Sequence, residues 1–155
     1  MMTEEFGGDV LLFDTEDGGE ISVINGLVVS DGGFSTAVYL SLFGGNKDDG
    51  GEVASGDTWW GNRLEGVSEN EKLVSRFMSF VRSVPLNSKN LKIAQDKAEE
   101  DLKWFLDDGI ADSVEVELLD EGNNRIQLNV RIEKSGEIIE SGKYALQWEA
   151  VKNGV

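Results

Sequence analysis

The sequence predicts an α+β fold in which two to three helices pack on one face of an antiparallel sheet, after an N-terminal β-hairpin. In the N-terminal part, short apolar runs are separated by glycine turns; two central segments place apolar residues at helical spacing, and three C-terminal segments alternate apolar with polar residues. A chain of 155 residues is of the size of one domain with one core. We therefore expect a single domain over 1–155, with a glycine-rich acidic part at 1–61 and a helical and meander part at 62–155.

The N-terminal part alternates apolar runs with turn residues. Val10 to Phe13 comes before Asp17-Gly18-Gly19, and Ile21 to Ile24 comes after it. Two strands joined by a glycine-containing turn are the simplest interpretation. Asn25-Gly26, which precedes Leu27-Val28-Val29, is a second candidate turn, because this residue pair favours tight hairpins.

The next apolar segment is Thr36 to Phe43, and it is either a short helix or a buried strand, because periodicity does not decide so short a stretch. Residues 44–57 are rich in glycine and acidic residues, which predicts a mobile surface loop. This segment leads directly into Trp59 and Trp60.

Two helices are predicted in the central part. Ser68-Glu69-Asn70-Glu71 has the form of a capping box, so a helix is expected to begin there and to end before Pro85. The second helix has Ser88 as its candidate N-cap and Gly109 just past its end. The apolar faces of the two helices consist of Leu73, Phe77, Phe80 and Val84, and of Leu91, Ala94, Ala98, Leu102 and Phe105.

Three strands follow, each with one buried and one solvent-facing side. Their alternating apolar residues are Val114, Val116 and Leu118, then Ile126, Leu128, Val130 and Ile132, then Tyr144, Leu146, Trp148 and Ala150. The connectors, Glu121 to Asn124 and Ser135 to Gly142, have hairpin lengths, so we expect an antiparallel meander covered by the helices. The last strand, Lys143 to Ala150, then lies at or near a sheet edge, where an exposed strand can pair with another chain.

Composition and charge exclude several classes of function. The chain has no histidine and no cysteine, which removes disulfides, Ser-His-Asp and Cys-His catalysis and the usual zinc sites. The net charge of -16 comes from 30 acidic and 14 basic residues. Binding to phosphates needs clustered lysine and arginine, so we expect no nucleic-acid partner. An acidic face suits a basic protein partner, or is simply solvated.

The sequence gives no sign of membrane insertion or export. Met1 to Phe6 contains no cationic segment and is not followed by an apolar stretch, so no signal peptide is predicted. No apolar run approaches the roughly 18 residues that a membrane-spanning helix needs. We expect a soluble protein that is made in a cytoplasm and has no membrane partner.

No residue pattern marks an active site or a metal site. A glycosidase needs two carboxyl groups about 5–5.5 Å or about 6.5–9.5 Å apart, one of them with a raised pKa, and nothing in the sequence marks such a pair. The acidic segment Asp14 to Gly19 does not fit the EF-hand pattern, and Gly51 stands where a P-loop requires lysine. We therefore expect no enzymatic activity, no cofactor and no defined metal site.

Three blocks of the sequence resemble the Mu-type baseplate protein family of contractile-tailed phages. They are Thr36-Ala37-Val38 with Ser41-Leu42-Phe43, then Trp59-Trp60-Gly61-Asn62, then Leu102 to Ala111. The order of elements is also similar to that of the lysozyme-like baseplate wedge family, a resemblance that implies no hydrolase activity. The resemblance to these phage families does imply that the first block is a helix. It further implies a structural subunit of a phage or prophage tail baseplate, located in the virion, with other baseplate and tail proteins as partners.

We expect the interface to include Trp59, Trp60, Asn62, Asp107, Asp108, Lys143 and Gln147. One of the two adjacent tryptophans is expected to face the core and the other to anchor a neighbouring subunit. Asp107 and Asp108 stand at a helix C-terminus, where the dipole disfavours negative charge, which indicates a nearby cation or basic residue, or an exposed and screened end.

Two further expectations complete the sequence interpretation. Trp104 and Trp148 are expected in the core, the first beside Phe105 and the second on the buried side of the last strand. The alternative function is an acidic protein-binding module or a charge-mimic inhibitor of a basic partner, which would bind in a salt-sensitive way.

Overall fold

The computed structural model describes residues 9–10, 12–15, 18–21, 23–28, 30–31, 33–44, 65–66 and 75–148. These residues form short N-terminal strand pairs, then helices, then a three-stranded antiparallel sheet. The predicted α+β class is confirmed. No helix within these ranges has the length and apolar character that crossing a membrane requires.

The N-terminal strands form three antiparallel pairs. In chain order the strands are β1 (Asp9–Val10), β2 (Leu12–Thr15), β3 (Gly18–Ile21), β4 (Val23–Ile24), β5 (Leu27–Val28) and β6 (Ser30–Asp31). β1 pairs with β6, and the hairpins β2–β3 and β4–β5 lie between them in the chain. Asn25 and Gly26 form the predicted tight turn, with φ angles of 52° and 79°. Gly18 and Gly19, which were predicted in a turn, belong to β3 instead.

Four helices follow in the described part: α1 (Ser35–Phe43), α2 (Arg76–Ser83), α3 (Ser88–Leu102) and α4 (Trp104–Asp107). The helix that the phage-family resemblance implies at 36–43 is confirmed as α1. The predicted surface loop at 44–57, beyond Gly44, lies outside the described residues.

The start of α2 differs from the prediction. Ser75 is its N-cap, with extended backbone angles (φ -111°, ψ 94°), and its Oγ accepts the N–H of Met78 at 3.3 Å. A helix that runs unbroken from Ser68 is therefore wrong, because an extended residue interrupts it; residues 68–71 themselves lie outside the described ranges. The apolar spacing continues across Ser75 and so does not reveal the break.

The ends of α3 also differ slightly from the prediction. Its N-cap is Asn87 and not Ser88, and the Asn87 side chain accepts the N–H of Asn90 at 2.8 Å. The helix tightens at Lys103, whose N–H donates to the carbonyl of Glu100, three residues earlier, at 3.3 Å. α4 continues the chain from there, and Gly109 follows with φ 70°, as predicted for a residue just past a helix.

The sheet is a meander of β7 (Ser113–Gly122), β8 (Arg125–Lys134) and β9 (Glu137–Gln147), in the order β7-β8-β9. β9 begins six residues before the predicted start at Lys143. Ser135 and Gly136 alone form the turn, with φ angles of 53° and 79°. The second Ser-Gly pair, Ser141 and Gly142, lies within the strand and pairs with β8.

The core lies between the helices and one face of the sheet. α3 packs over β7 and α1 packs near β9. The buried apolar residues of the core include Val38, Leu42, Phe77, Val81, Ala94, Ala98, Leu102, Phe105, Val116, Leu118, Ile126, Leu128, Val130, Ile132 and Trp148. Trp148 is buried as predicted, and its Nε1 donates to the carbonyl of Val84 at 2.8 Å. Trp104 is half-buried, stacks on Phe105 and donates from Nε1 to the Ser41 Oγ at 3.0 Å.

A buried carboxylate joins α2 to α3. The Asp101 side chain accepts the N–H groups of Arg76 at 3.0 Å and Phe77 at 2.9 Å, so it caps the first turn of α2. Burial raises the pKa of Asp101 to about 6, against the two backbone hydrogen bonds and the Arg76 charge, which lower it. Each carboxylate oxygen of Asp101 therefore accepts a structural hydrogen bond from the start of α2.

Candidate interface

The structure places four of the predicted interface residues. Lys143 and Gln147 are exposed on β9, Asp107 is exposed in the last turn of α4, and Asp108 is its exposed C-cap. Trp59, Trp60 and Asn62 lie outside the described residues. The split of the two tryptophans between core and surface stays a prediction.

β9 is an edge strand, and one hydrogen bond shows which of its residues point their N–H and C=O groups away from β8. The N–H of Trp148 donates to the carbonyl of Asn124 at 2.6 Å, and Arg125 is paired with Gln147 in register. Bonded and non-bonded residue pairs alternate along an antiparallel ladder. The even-numbered residues from 140 to 146 therefore bond to β8. The outward-facing N–H and C=O groups belong to Ser141, Lys143, Ala145 and Gln147, whose side chains are all exposed.

The opposite edge of the sheet, β7, is covered by a helix. The N–H of Leu118 points away from β8 and donates to the Gln95 side chain of α3 at 3.3 Å. α3 packs along the same strand. Covering an edge in this way prevents pairing with another chain. Within the described residues, no strand pairs with the outer edge of β9, so the two edges of the sheet differ.

The inner side of β9 is held by aromatic contacts. The Tyr144 ring lies against Phe43, with centroids 5.2 Å apart, and against Tyr39, with centroids 6.5 Å apart. Burial, together with the nearby Glu140 and Tyr39, raises the pKa of Tyr144 to about 12, so its hydroxyl stays neutral. Glu140 accepts the N–H of Phe34 at 2.8 Å, which fixes the start of α1 against the strand. Residues of α1 and Phe34 thus pack against the inner side of β9, the strand whose outer edge is open.

A bulge limits the regular part of this edge. The β8–β9 register shifts between Ile132 and Glu133, where Glu140 and Ile138 are the respective partners and Ile139 has no opposite residue. Bulges bend a strand and interrupt pairing. The regular open edge therefore extends from Glu140 to Gln147.

The four predicted interface residues that the structure describes lie in two separate groups. The Gln147 side chain donates to the carbonyl of Asn123 at 3.1 Å, at the β7–β8 turn. The α4 end lies near the β8–β9 turn instead, because Lys134 donates to the carbonyl of Gly109 at 3.0 Å. These turns are at opposite ends of the sheet. Asp107 and Asp108 are therefore not part of one continuous surface with Gln147.

The acidic end of α4 has a local explanation. The Lys103 ammonium contacts both carboxylate oxygens of Asp107 at 2.7 Å. Lys103, one turn earlier, is therefore a basic residue near Asp107, and both Asp107 and Asp108 are also exposed. The Lys103 and Asp107 side chains are both exposed, so the pair contributes little to stability.

The same end of the sheet contains a second carboxylate with a structural role. Asp112 accepts the N–H of Ser135 at 2.7 Å, and Lys134 contacts its other oxygen at 3.2 Å. The backbone hydrogen bond and the Lys134 side chain lower the pKa of Asp112. The part of the chain that the structure describes contains no group of three or more acidic side chains arranged to hold a metal ion.

Sequence reasoning missed the two residues that distinguish the sheet edges. Ala145 carries outward backbone groups in the middle of β9, but an alanine has no distinctive side-chain signal. Gln95 lies among polar residues of α3 and gives no sign that it meets a strand. Only the predicted order of the strands indicated an open edge, because the meander places β9 at one end of the sheet.

Comparison with known proteins gives one family. A family model described as Phage protein GP46 matches residues 34–138, which is more than half of the chain. The matched segment extends from the start of α1 to the beginning of β9 and contains the helices and the first two strands of the meander. No curated protein matches the chain.

Proposed function

We propose that this chain, which belongs to the phage protein GP46 family, is a structural subunit of a contractile phage tail baseplate that acts through protein–protein assembly. The membership rests on the match over residues 34–138. The baseplate role is supported by the resemblance of three sequence blocks to Mu-type baseplate proteins. Two of these blocks form α1 and the α3–α4 turn, whose buried residues, such as Val38 and Phe105, build the core.

The difference between the two sheet edges is the observation that carries this proposal. A sheet with one covered edge and one open edge accepts a strand on one side only. An incoming segment would pair with the outward N–H and C=O groups of Ser141, Lys143, Ala145 and Gln147. Main-chain hydrogen bonds of this kind hold neighbouring subunits in a fixed register, which suits an assembly protein. The lysine on this edge also discourages aggregation of the free protein.

The test is a pull-down of the tagged chain from cells that co-express the neighbouring phage reading frames. Mass spectrometry of the bound proteins is expected to identify tail or baseplate proteins. Recovery of a basic nucleic-acid enzyme alone would instead make the acidic surface the function and contradict the baseplate proposal. Binding that disappears at moderate salt is typical of that alternative, since exposed charges are screened within about 8–10 Å.

The contribution of the β9 edge is tested by Ala145→Pro. Ala145 faces Gln127 in a non-bonded pair, so proline removes an outward N–H and leaves the β8–β9 ladder intact. Ala145→Thr is the matched control, because threonine keeps the N–H and favours strands. We expect tail proteins to be lost from the proline variant and kept by the threonine variant, with both folded by circular dichroism. Equal recovery by both folded variants would contradict strand pairing at this edge.

A further inference from the structure

The β4–β5 hairpin exposes apolar side chains on both of its faces. Val23 pairs with Val28, and Ile24 pairs with Leu27. Cross-strand partners share a face and successive residues alternate between faces, so these two pairs lie on opposite sides of the hairpin. The exposed fractions are 58% and 53% on one side and 60% and 73% on the other. Ordinary surface strands keep one polar side, and this hairpin has none.

Such a hairpin needs a cover to be a stable element. Two-stranded hairpins are marginally stable at best in water when they pack against nothing. Here the turn residues Asn25 and Gly26 set the strand pairing, but no side chain of β4 or β5 is buried. Exposed apolar clusters of this kind mark sites of protein or membrane interaction.

The charged residues that flank the hairpin in the sequence indicate what covers it. Residues 9–31 contain six acidic residues, Asp9, Asp14, Glu16, Asp17, Glu20 and Asp31, and no lysine or arginine. An anionic membrane surface repels such a segment. A second copy of this chain, with its net charge of -16, is also a poor partner. An apolar groove bordered by basic side chains complements both the apolar hairpin and the acidic residues that flank it in the sequence.

We propose that the β4–β5 hairpin docks into an apolar groove, bordered by lysine and arginine side chains, on a neighbouring tail protein. The identity of the partner class rests on the proposed baseplate function. The docking surface is separate from the β9 edge and is formed by different residues. It also precedes residue 34, where the match to the phage family begins.

The test compares two sets of threonine substitutions in the full-length chain. The hairpin variant carries Val23→Thr, Ile24→Thr, Leu27→Thr and Val28→Thr, which keep β-branched character and remove apolar area. The control variant carries Leu119→Thr and Ile138→Thr, two exposed apolar residues of the sheet with 42% and 55% exposure. The probes are the purified tail proteins that the wild-type chain recovers, and the readout is the dissociation constant.

We expect the hairpin variant to lose at least about 100-fold in affinity for one tail protein, and the control variant to stay within about threefold of wild type. Hydrogen exchange at residues 23–28 of the wild-type chain should slow in that complex. Replacing the nearby acids by Glu20→Gln and Asp31→Asn should weaken binding most at low salt, where charge attraction is strongest.

Several results would overturn the inference. Equal affinity of the hairpin variant and wild type, or unchanged exchange at residues 23–28 in the complex, would show that the hairpin does not dock. Binding of the hairpin to vesicles of anionic lipid, or dimerisation of the chain that the threonine substitutions abolish, would assign another occupant. If tail proteins bind the hairpin variant as tightly as wild type, the docking inference fails and the baseplate proposal stands. If wild type recovers no tail protein, both fail.

Discussion

Asp101 connects two helices through two backbone N–H groups, and the Arg76 guanidinium adds a side-chain contact at 3.4 Å. Its side chain has no exposed surface, and its oxygens accept from Arg76 and Phe77 at the start of α2. A carboxylate at a helix N-terminus is stabilised by the free N–H groups and by the helix dipole. Burial opposes this, because it raises the pKa to about 6. The net effect of the residue on stability therefore depends on pH.

The first prediction concerns this pH dependence. Between pH 3.8, the ordinary pKa, and about 6, the folded protein binds a proton at Asp101 that the unfolded chain has released. The contribution of Asp101 to the free energy of unfolding therefore falls as pH rises through this window, by up to about 3 kcal/mol. Asp101→Asn lacks this titration. Urea unfolding of both proteins from pH 4 to 7 should show the wild-type advantage over Asp101→Asn decreasing. An advantage that stays constant or grows with pH would contradict the prediction.

The second prediction concerns the packing of an aromatic ring over a glycine. A Cβ at Gly142 would lie 2.7 Å from the Tyr144 Oη and 2.8 Å from its Cε2. The ring is held by Phe43 and Tyr39, so it has little room to move. We expect Gly142→Ala to lower the free energy of unfolding by about 1–3 kcal/mol. Ser141→Ala, at the exposed neighbouring position, should change it by less than about 0.5 kcal/mol. Chemical denaturation measures both, and equal effects would argue against the close contact.

At the scale of elements, the two outer strands of the sheet have different surroundings. α3 covers the β7 edge, and Gln95 supplies an acceptor for the N–H of Leu118 at 3.3 Å. β9 is supported by α1 on its inner side, and its outward backbone groups stay unpaired by any described strand. Within the described part of the chain, β9 is therefore the edge at which a further strand can pair.

The third prediction tests this difference by amide exchange. Gln95→Ala removes the acceptor of the Leu118 N–H, and Gln95→Glu restores an acceptor oxygen. We expect the alanine variant to exchange the Leu118 amide at least about tenfold faster, the equivalent of about 1.4 kcal/mol, while the glutamate variant stays near wild type. In free wild-type protein, the amides of Lys143 and Ala145 should exchange faster than those of Tyr144 and Leu146. Similar rates along all of β9 would mean that its outer edge is covered.

The elements also show what periodicity predicts and where it stops. The apolar spacing of α3 and the alternation in β8 follow from burial of one face, and both were predicted from the sequence. The start of α2 was not, because Ser75 breaks the helix without breaking the spacing of Phe77 and its neighbours. The start of β9 was misplaced because two Ser-Gly pairs compete for one turn. Only Ser135-Gly136 adopts the left-handed angles that a two-residue turn needs.

The candidate site was predictable in outline only. A terminal strand in a meander is an edge strand, so the position of Lys143 and Gln147 followed from the sequence. The separation of Asp107 and Asp108 from that edge depends on which end of the sheet α4 meets, and no local pattern encodes this. The apolar hairpin is visible in the sequence as Val23-Ile24-Asn25-Gly26-Leu27-Val28, but its exposure depends on packing that the sequence does not show.

At the scale of the whole molecule, the charge bears on which partners the proposed surfaces would accept. The net charge of -16 opposes association between copies, and most of the excess negative charge lies before Trp60, where 12 acids stand against Lys47 alone. The open β9 edge and the apolar hairpin are then the two surfaces that we propose for partners of different chemistry. The first offers backbone hydrogen bonds, and the second offers apolar area within an acidic segment.

The most direct test of the baseplate role is deletion of this gene from the phage or prophage that encodes it, followed by electron microscopy of the particles produced. We expect particles without complete contractile tails. Assembly should be restored by the wild-type gene and by Ala145→Thr, and not by the folded Ala145→Pro variant. Normal, contractile tails with complete baseplates in the deletion strain would contradict the central claim.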